Sequence, residues 1–341
     1  MIKILRLKDF SAPVEKNLIP SQLDSHWAKI LDSDTRTSYV GIIEKNGIIT
    51  EQLNFCIMNT SFGNFFVSMP YIGYGSCLDV VNKQDIKELF VKLEEFAKEK
   101  NCLNMSICTH PLSSMSFEDY KDVFDYAYSH KKDCQISVLD NGHPLDNMTH
   151  KRRSAFKNEI SKIEQSDYFI DKKPDRKMFD QWYEVYKKRF EDVGGICNTK
   201  EFFLGCYEIS KNSDTMDFWV IRNESEVLGG VICEIGKNIV DYTTSAFSTE
   251  SRKLYPTTYL LNEYLYKAIE QKIRYFNWQG SGVYKGILEY KKRWGAGDYE
   301  QFYFAKNLVP ISEITATPLS KVQHELVRCY VLPYSLWEDT K

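Results

Sequence analysis

The stretch YFNWQGSGVYKGILEYKKRWGAG, Tyr275 to Gly297, decides how the chain is read. It opens on aromatic residues suited to a core strand and passes through glycine and serine. It then gathers Lys291, Lys292 and Arg293 between Tyr290 and Trp294. An aromatic run stopped by glycine reads as a buried strand ending in a loop. Positive charge straight after such a strand is either a solvated turn or one wall of a ligand site. The second reading has a physical basis, because α/β sheets bind ligands beyond the carboxyl ends of their strands.

Working outward, TTYLLNEYLYKAIEQK places Tyr259, Leu260, Tyr264, Leu265 and Ala268 on one side of a helix. Before it, FWVIRNESEVLGGVICEIG reads as a hairpin with a polar turn, and NIVDYTTSAF as a strand running into the loop STESRKLYP. The first half repeats this order. SYVGIIEKNGIITEQLNFCIM is a hairpin turning at Asn46-Gly47, and NFFVSMPYIGYGS is a strand ending in a loop. KQDIKELFVKLEEFAKEKN is an amphipathic helix carrying Ile86, Leu89, Phe90, Leu93, Phe96 and Ala97, and CLNMSIC is a closing strand. Two further helices lie between, one in the basic stretch around His150 to Ile160 and one over RKMFDQWYEVYKKRFEDVGG. Element order repeats while side chains do not, which suggests a duplicated α/β unit. The expected boundary is near residue 150, giving domains 1–150 and 151–341.

Charged residues make up 27% of the 341 residues and hydrophobic ones 43%, as in a water-soluble globular protein. With net charge -3 the surface as a whole does not attract nucleic acid, so any such binding needs a local patch, and DNA is not an expected partner. No apolar run approaches the roughly 20 residues that span a bilayer, and the first residues lack a signal-peptide pattern. The nine cysteines are scattered without Cys-x-x-Cys, which fits small buried hydrophobes in a reducing cytoplasm. The six histidines are dispersed, without His-x-x-x-His, so no metal site is expected. Gly73 to Ser76 is not followed by Gly-Lys-Ser/Thr and is no P-loop, and QGSGVYKG lacks the spacing of a nucleophile elbow.

HKRRSAFKNEI, the pair Tyr255-Pro256 opening a helix, and FNWQGSGVYKGILEYKKRWGAGDYEQFYF together resemble the FemABX family. Its members are aminoacyltransferases built from two tandem acetyltransferase-like (GNAT) domains. The family pattern of aromatic-Lys-x-x-aromatic-Gly reads here as Tyr290 to Gly295, and MPYIGYGS resembles the family's Pro-Tyr-x-x-Tyr-Gly loop. The resemblance covers about residues 27 to 305. It implies an α/β fold of two tandem GNAT-like domains, with mixed sheets flanked by helices. It also implies transfer of an amino acid from aminoacyl-tRNA to the amine of a cell-wall precursor, without a resident cofactor.

On this resemblance Lys291 would stabilise charge in the transition state, and Tyr255 would orient substrate or exchange a proton. Tyr71, Tyr74, Tyr242, Arg152, Arg153 and Ser281 become candidates for substrate binding, and Lys292, Arg293 and Arg252 for donor binding. An amine attacking an ester passes through an oxyanion, and one fixed donor there is worth about 3 kcal/mol. No carboxylate stands out as a base, although Asp241 and Glu289 are plausible, and none is needed if the amine arrives neutral. An acyl-CoA donor acting on an amino sugar or small metabolite is the alternative. Against it, SRKLYPTTYLL has no glycine, and Pro256 lacks one of the N–H groups that bind pyrophosphate at a helix start. A non-catalytic binding module on the same fold is the third reading. Transient approach to a membrane-linked acceptor stays open.

Overall fold

A computed structural model describes residues 1–11, 16–70, 74–75, 82–192, 194–195, 197–282, 284–327 and 329–337. Its elements in chain order are β1 (Ile2–Arg6), α1 (Ala28–Leu31), β2 (Arg36–Lys45), β3 (Ile48–Thr60), β4 (Gly63–Val67), α2 (Lys83–Glu99), β5 (Cys102–Cys108), α3 (Phe117–Val123) and β6 (Tyr128–Val138). There follow α4 (His150–Glu164), β7 (Phe169–Asp171), α5 (Arg176–Asp192), α6 (Lys200–Asn212), β8 (Met216–Arg222), β9 (Val227–Ile235) and β10 (Ile239–Phe247). The chain continues with α7 (Pro256–Glu270), β11 (Tyr275–Gly280), α8 (Lys285–Arg293), β12 (Gly297–Asn307), α9 (Ile311–Thr315) and α10 (Leu319–Glu325).

The contacts divide the chain into two units. Unit 1 is Met1–Asp133 with Tyr299–Lys341, and unit 2 is Cys134–Asp298. This differs from a single boundary near residue 150. The chain leaves unit 1 inside β6 and returns to it inside β12. The reason for the return is pairing, because β12 lies antiparallel to β5 from Tyr303↔Cys108 to Asn307↔Asn104. Phe304 then packs against Phe117, Tyr120 and Tyr126 of unit 1.

In unit 1 the strands run in the order β1-β2-β3-β4-β5-β12. Neighbours pair antiparallel except β4 with β5, whose parallel register is bridged by α2. Parallel neighbours need such a crossover. Of the stripe that its spacing predicts, α2 buries Ile86, Leu89, Phe90, Leu93 and Ala97 against Phe55, Phe66 and Met105 of the sheet, with Phe96 partly buried beside them. Asn82 caps its start by accepting from the Gln84 N–H.

In unit 2 the order is β6-β11-β10-β9-β8-β7. Its parallel pair is β10 with β11, joined by α7. Consecutive residues of β8 serve opposite faces, as the strand period requires. Phe218 meets Trp182 of α5 at 5.1 Å between ring centres, and Trp219 meets Tyr264 of α7 at 4.9 Å. Helices therefore cover both faces of this sheet. Each unit repeats hairpin, strand, helix and parallel strand in the same order.

Candidate functional site

The parallel pairing of β10 with β11 covers Ile239↔Tyr275, Val240↔Phe276 and Asp241↔Asn277, and then stops. Beyond it, β10 follows β9 alone, after a bulge between Tyr242 and Thr244. β11 slips its register on β6 between Asn277 and Gly280, and Gln279 takes a φ of 62°. That left-handed backbone is uncommon for a residue with a side chain, and it turns the strand's end aside. A cleft of about 400 Å³ opens where the two strands part, walled also by the start of α7 and by α8.

Side chains tie the strands where the backbone ladder has ended. Asp241 is fully buried, and its Oδ1 accepts from Asn277 Nδ2 at 2.7 Å and from Gln279 Nε2 at 3.2 Å. The Gln279 backbone N–H donates to Asn277 Oδ1 at 2.9 Å. A buried carboxylate is tolerated when it is hydrogen-bonded in this way. Asp241 does not line the cleft, so it stands as a tie rather than as a base facing substrate.

The same turn aims two carbonyls at α8. Lys291 Nζ donates to the Gln279 and Gly280 carbonyls at 2.8 and 2.9 Å, with the residue only 5% exposed. Its cation is thereby fixed in the cleft wall. Its sequence neighbours are directed elsewhere by the 100° step of a helix. Lys292 pairs with Asp298 at 2.7 Å. Arg293 pairs with Glu159 at 2.8 Å and lies over the Phe156 ring. The basic run sits on a helix rather than a turn, and of its three cations Lys291 lines the cleft.

Arg252 and Arg189 line the same cleft, and among the described residues no carboxylate does. The cleft is therefore cationic although the chain is acidic. Two phenols face it. Burial pushes the Tyr290 hydroxyl up to about 12, and burial moves Tyr242 upward as well. Both stay protonated at neutral pH and act as donors, not bases. Tyr255 also lines the cleft, 38% exposed, with Lys162 Nζ 4.9 Å from the centre of its ring. It caps α7 with φ 55° and ψ 46°, a left-handed conformation that costs a non-glycine residue roughly 1 to 2 kcal/mol. Pro256 follows at the first helical position, so α7 offers no N–H there.

The structure thus brings together Tyr242, Arg252, Tyr255 and Lys291 of the residues expected from sequence. Of the others, it brings in none that it describes. Ser281 is buried and donates to Gln135 Oε1 at 2.6 Å. Arg153 is committed to backbone, its guanidinium donating to the carbonyls of Leu145 at 2.9 Å and Asp146 at 2.5 Å, where it fixes the turn before α4. Arg152 is exposed on α4 and away from the cleft. Tyr74 is 1% exposed in unit 1, edge-on to His110 at 4.4 Å. Tyr71 lies outside the described residues. Sequence reasoning passed over Arg189 and Tyr290 as site residues. Tyr290 carried a signal, since it opens the aromatic-Lys motif, whereas Arg189 sits in a helix whose pattern speaks only of packing. Among the described residues no group of His, Cys, Asp or Glu could hold a metal ion, and no helix is long and apolar enough to cross a membrane.

No protein-family model matches the chain, and no curated protein matches it. Solved structures do. A structure of FemX aligns with TM-score 0.67 at 13% identity, over 86% of this chain and 93% of that one. The structure of L-PGS from Bacillus licheniformis aligns with TM-score 0.56 at 13% identity, over 89% and 91%. A tandem GNAT protein from the clavulanic acid biosynthesis pathway aligns with TM-score 0.54 at 8% identity, over 91% and 99%. At such identities the likeness is one of fold. Two units that each repeat the strand–helix–strand core, matched along nearly their whole length by these structures, give the chain a FemABX-like fold of tandem GNAT-like units.

Proposed function

We propose that the protein is a GNAT-like acyltransferase that forms an amide bond, with the unit 2 cleft as its donor site. The observation that carries this reading is a cleft walled by Lys291, Arg189 and Arg252 and, among the described residues, by no carboxylate, on a fold shared with FemX and a tandem GNAT protein. Such a wall suits a phosphate-bearing donor and a carbonyl that becomes anionic. The amine nitrogen attacks the donor carbonyl carbon, and the oxyanion that forms meets Lys291 and the neutral phenols. Collapse expels the donor's ester oxygen, which takes the proton lost by the amine.

The donor in this proposal is aminoacyl-tRNA, and the acceptor is the amine of a cell-wall precursor, reached in the cytoplasm or by transient approach to a membrane. What favours tRNA over acyl-CoA is the start of α7. There Pro256 removes an N–H and the Tyr255 ring stands at the cleft, in the place where a CoA pyrophosphate needs open backbone. The test is donor binding by purified protein. Acetyl-CoA and a charged tRNA pool are titrated separately at two salt concentrations, with wild type and Lys291→Ala. Salt-sensitive tRNA binding without CoA binding is the expected result. Micromolar CoA binding, indifferent to RNase, replaces the donor with acyl-CoA. Binding of neither leaves a non-catalytic module on the same fold.

A further inference from the structure

Unit 1 holds a separate cleft of about 410 Å³, lined by His130, Lys132, Tyr303, Tyr330, Leu332 and Tyr334 among others. That volume is within the span of small-molecule sites, about 300 to 1,000 Å³. Three separate chain segments build it. His130 and Lys132 share one face of β6 by the strand period, Tyr303 comes from β12, and the others come from the segment after α10.

Three features of this cleft bear on what it could hold. The first is ring surface. His130 stacks at 5.9 Å from Tyr330, which meets Tyr303 edge-on at 5.4 Å, while Tyr334 remains 42% exposed. The second is the Tyr330 hydroxyl, which is buried and meets no hydrogen-bond partner. An unmet buried donor costs about 1 to 3 kcal/mol. Burial pushes this phenol up to about 12, so it keeps its proton. The third is Lys132, which among the described residues has no carboxylate partner and faces a lining without Asp or Glu.

We propose that this cleft binds a small planar aromatic ring carrying an anionic group, a carboxylate or a phosphate. The ring packs on the His130 and Tyr334 side of the cluster, an acceptor oxygen takes the Tyr330 O–H, and the anionic group meets Lys132. Stacking, a met donor and a neutralised charge then each add to affinity. A saturated sugar uses the rings but leaves Lys132 unmet, and a cationic ring is repelled by it.

The experiment titrates the full-length protein by calorimetry, with ring-proton NMR as a second readout. The probes are AMP, indole-3-acetate, ribose 5-phosphate and tryptamine. Binding of AMP or indole-3-acetate, with no binding of ribose 5-phosphate or tryptamine, is expected, and which of the two binds tells a nucleotide from an aromatic acid. Lys132→Gln weakens that binding at least fivefold. Tyr330→Phe, which keeps the ring and so the fold, weakens it about tenfold, the effect of one hydrogen bond. Lys291→Ala, in the other unit, leaves it unchanged. The proposal is overturned if neither ring anion binds, if ribose 5-phosphate binds equally well, or if Lys132→Gln binds like wild type.

Discussion

The two units carry the same parallel strand pair bridged by a helix, yet the pair ends differently in each. In unit 1 the pairing of β4 with β5 runs on past Val67↔Ser106, because the Ser68 N–H donates to the Ser106 carbonyl and Ser68 Oγ accepts from the Cys108 N–H. Beyond the strands Tyr74 packs on His110, and the Gly75 carbonyl takes the Asn54 N–H. A side chain at Gly75 would place its Cβ 2.1 Å from the Asn54 oxygen, so the chain is pressed flat there. In unit 2 the backbone ladder stops at Asp241↔Asn277, and side chains take over its bonds. The comparison teaches that one strand–helix–strand plan keeps its strands together where Ser68 carries the pairing on. It yields a cleft when a buried Asp, Asn and Gln satisfy each other instead.

The largest expected effect comes from the cleft's fixed cation. Lys291→Ala lowers the rate of amide formation by about 100-fold or more, as loss of one oxyanion donor does, with a smaller change in donor KM. A steady-state assay with the donor found by titration checks this. An unchanged kcat would break the contrast between a unit whose parted strands hold the site and one whose strands stay paired.

Next is the tie that holds the strands apart. Asp241→Ala strips the shared acceptor from Asn277 and Gln279 and destabilises the protein by about 3 kcal/mol, read from the urea midpoint. A loss no larger than that of a surface substitution would mean that the parting does not depend on this tie.

The paired end of unit 1 has a pH signature. Burial lowers His110 from 6.5 to about 3, so the folded state holds it neutral where the unfolded state takes up a proton. The stability is present above pH 6.5 and is lost as pH falls from there toward about 3, by up to about 1.4 kcal/mol per pH unit. Replacing it by His110→Gln flattens the acid side of a stability–pH curve. A curve of the same slope in wild type and variant assigns acid loss to other groups.

Smaller again is Ser68→Ala, which leaves the Cys108 N–H unmet at a cost of about 1 to 2 kcal/mol and does not alter transfer. Smallest is Lys292→Ala. Its pair with Asp298 is half-exposed, so stability changes by under about 1 kcal/mol and rate by little. A rate loss equal to that of Lys291→Ala would place the whole basic run in the site.

Much of this was legible along the chain. Most of the stripes of α2 and α7, the hairpins and the closing strands follow from periods of 3.6 and 2, which are local properties, although Phe96 and Tyr259 are only partly buried and α7 also buries Thr258, Leu261 and Asn262. The cation cluster after β11 was legible too, and so was the tandem GNAT-like fold through its motifs. The return of β12 to unit 1 was not, because pairing of Tyr303 with Cys108 joins residues far apart in sequence. Arg153 and Ser281 looked available for the same reason. The carbonyls and the Gln135 side chain that engage them are brought up by tertiary packing.

The sequence by itself determined the order of elements, the duplicated plan and the presence of charge beside the closing strand. Periodicity and turn chemistry act within a few residues, so one dimension suffices to write them. Tertiary structure alone decided that the strands part in unit 2 and stay paired in unit 1. It also decided that Lys291 lines the cleft while Lys292 and Arg293 find Asp298 and Glu159. Those outcomes rest on the left-handed turn at Gln279, the buried Asp241 tie and the rotation of α8, each set by groups that meet only when the chain is folded.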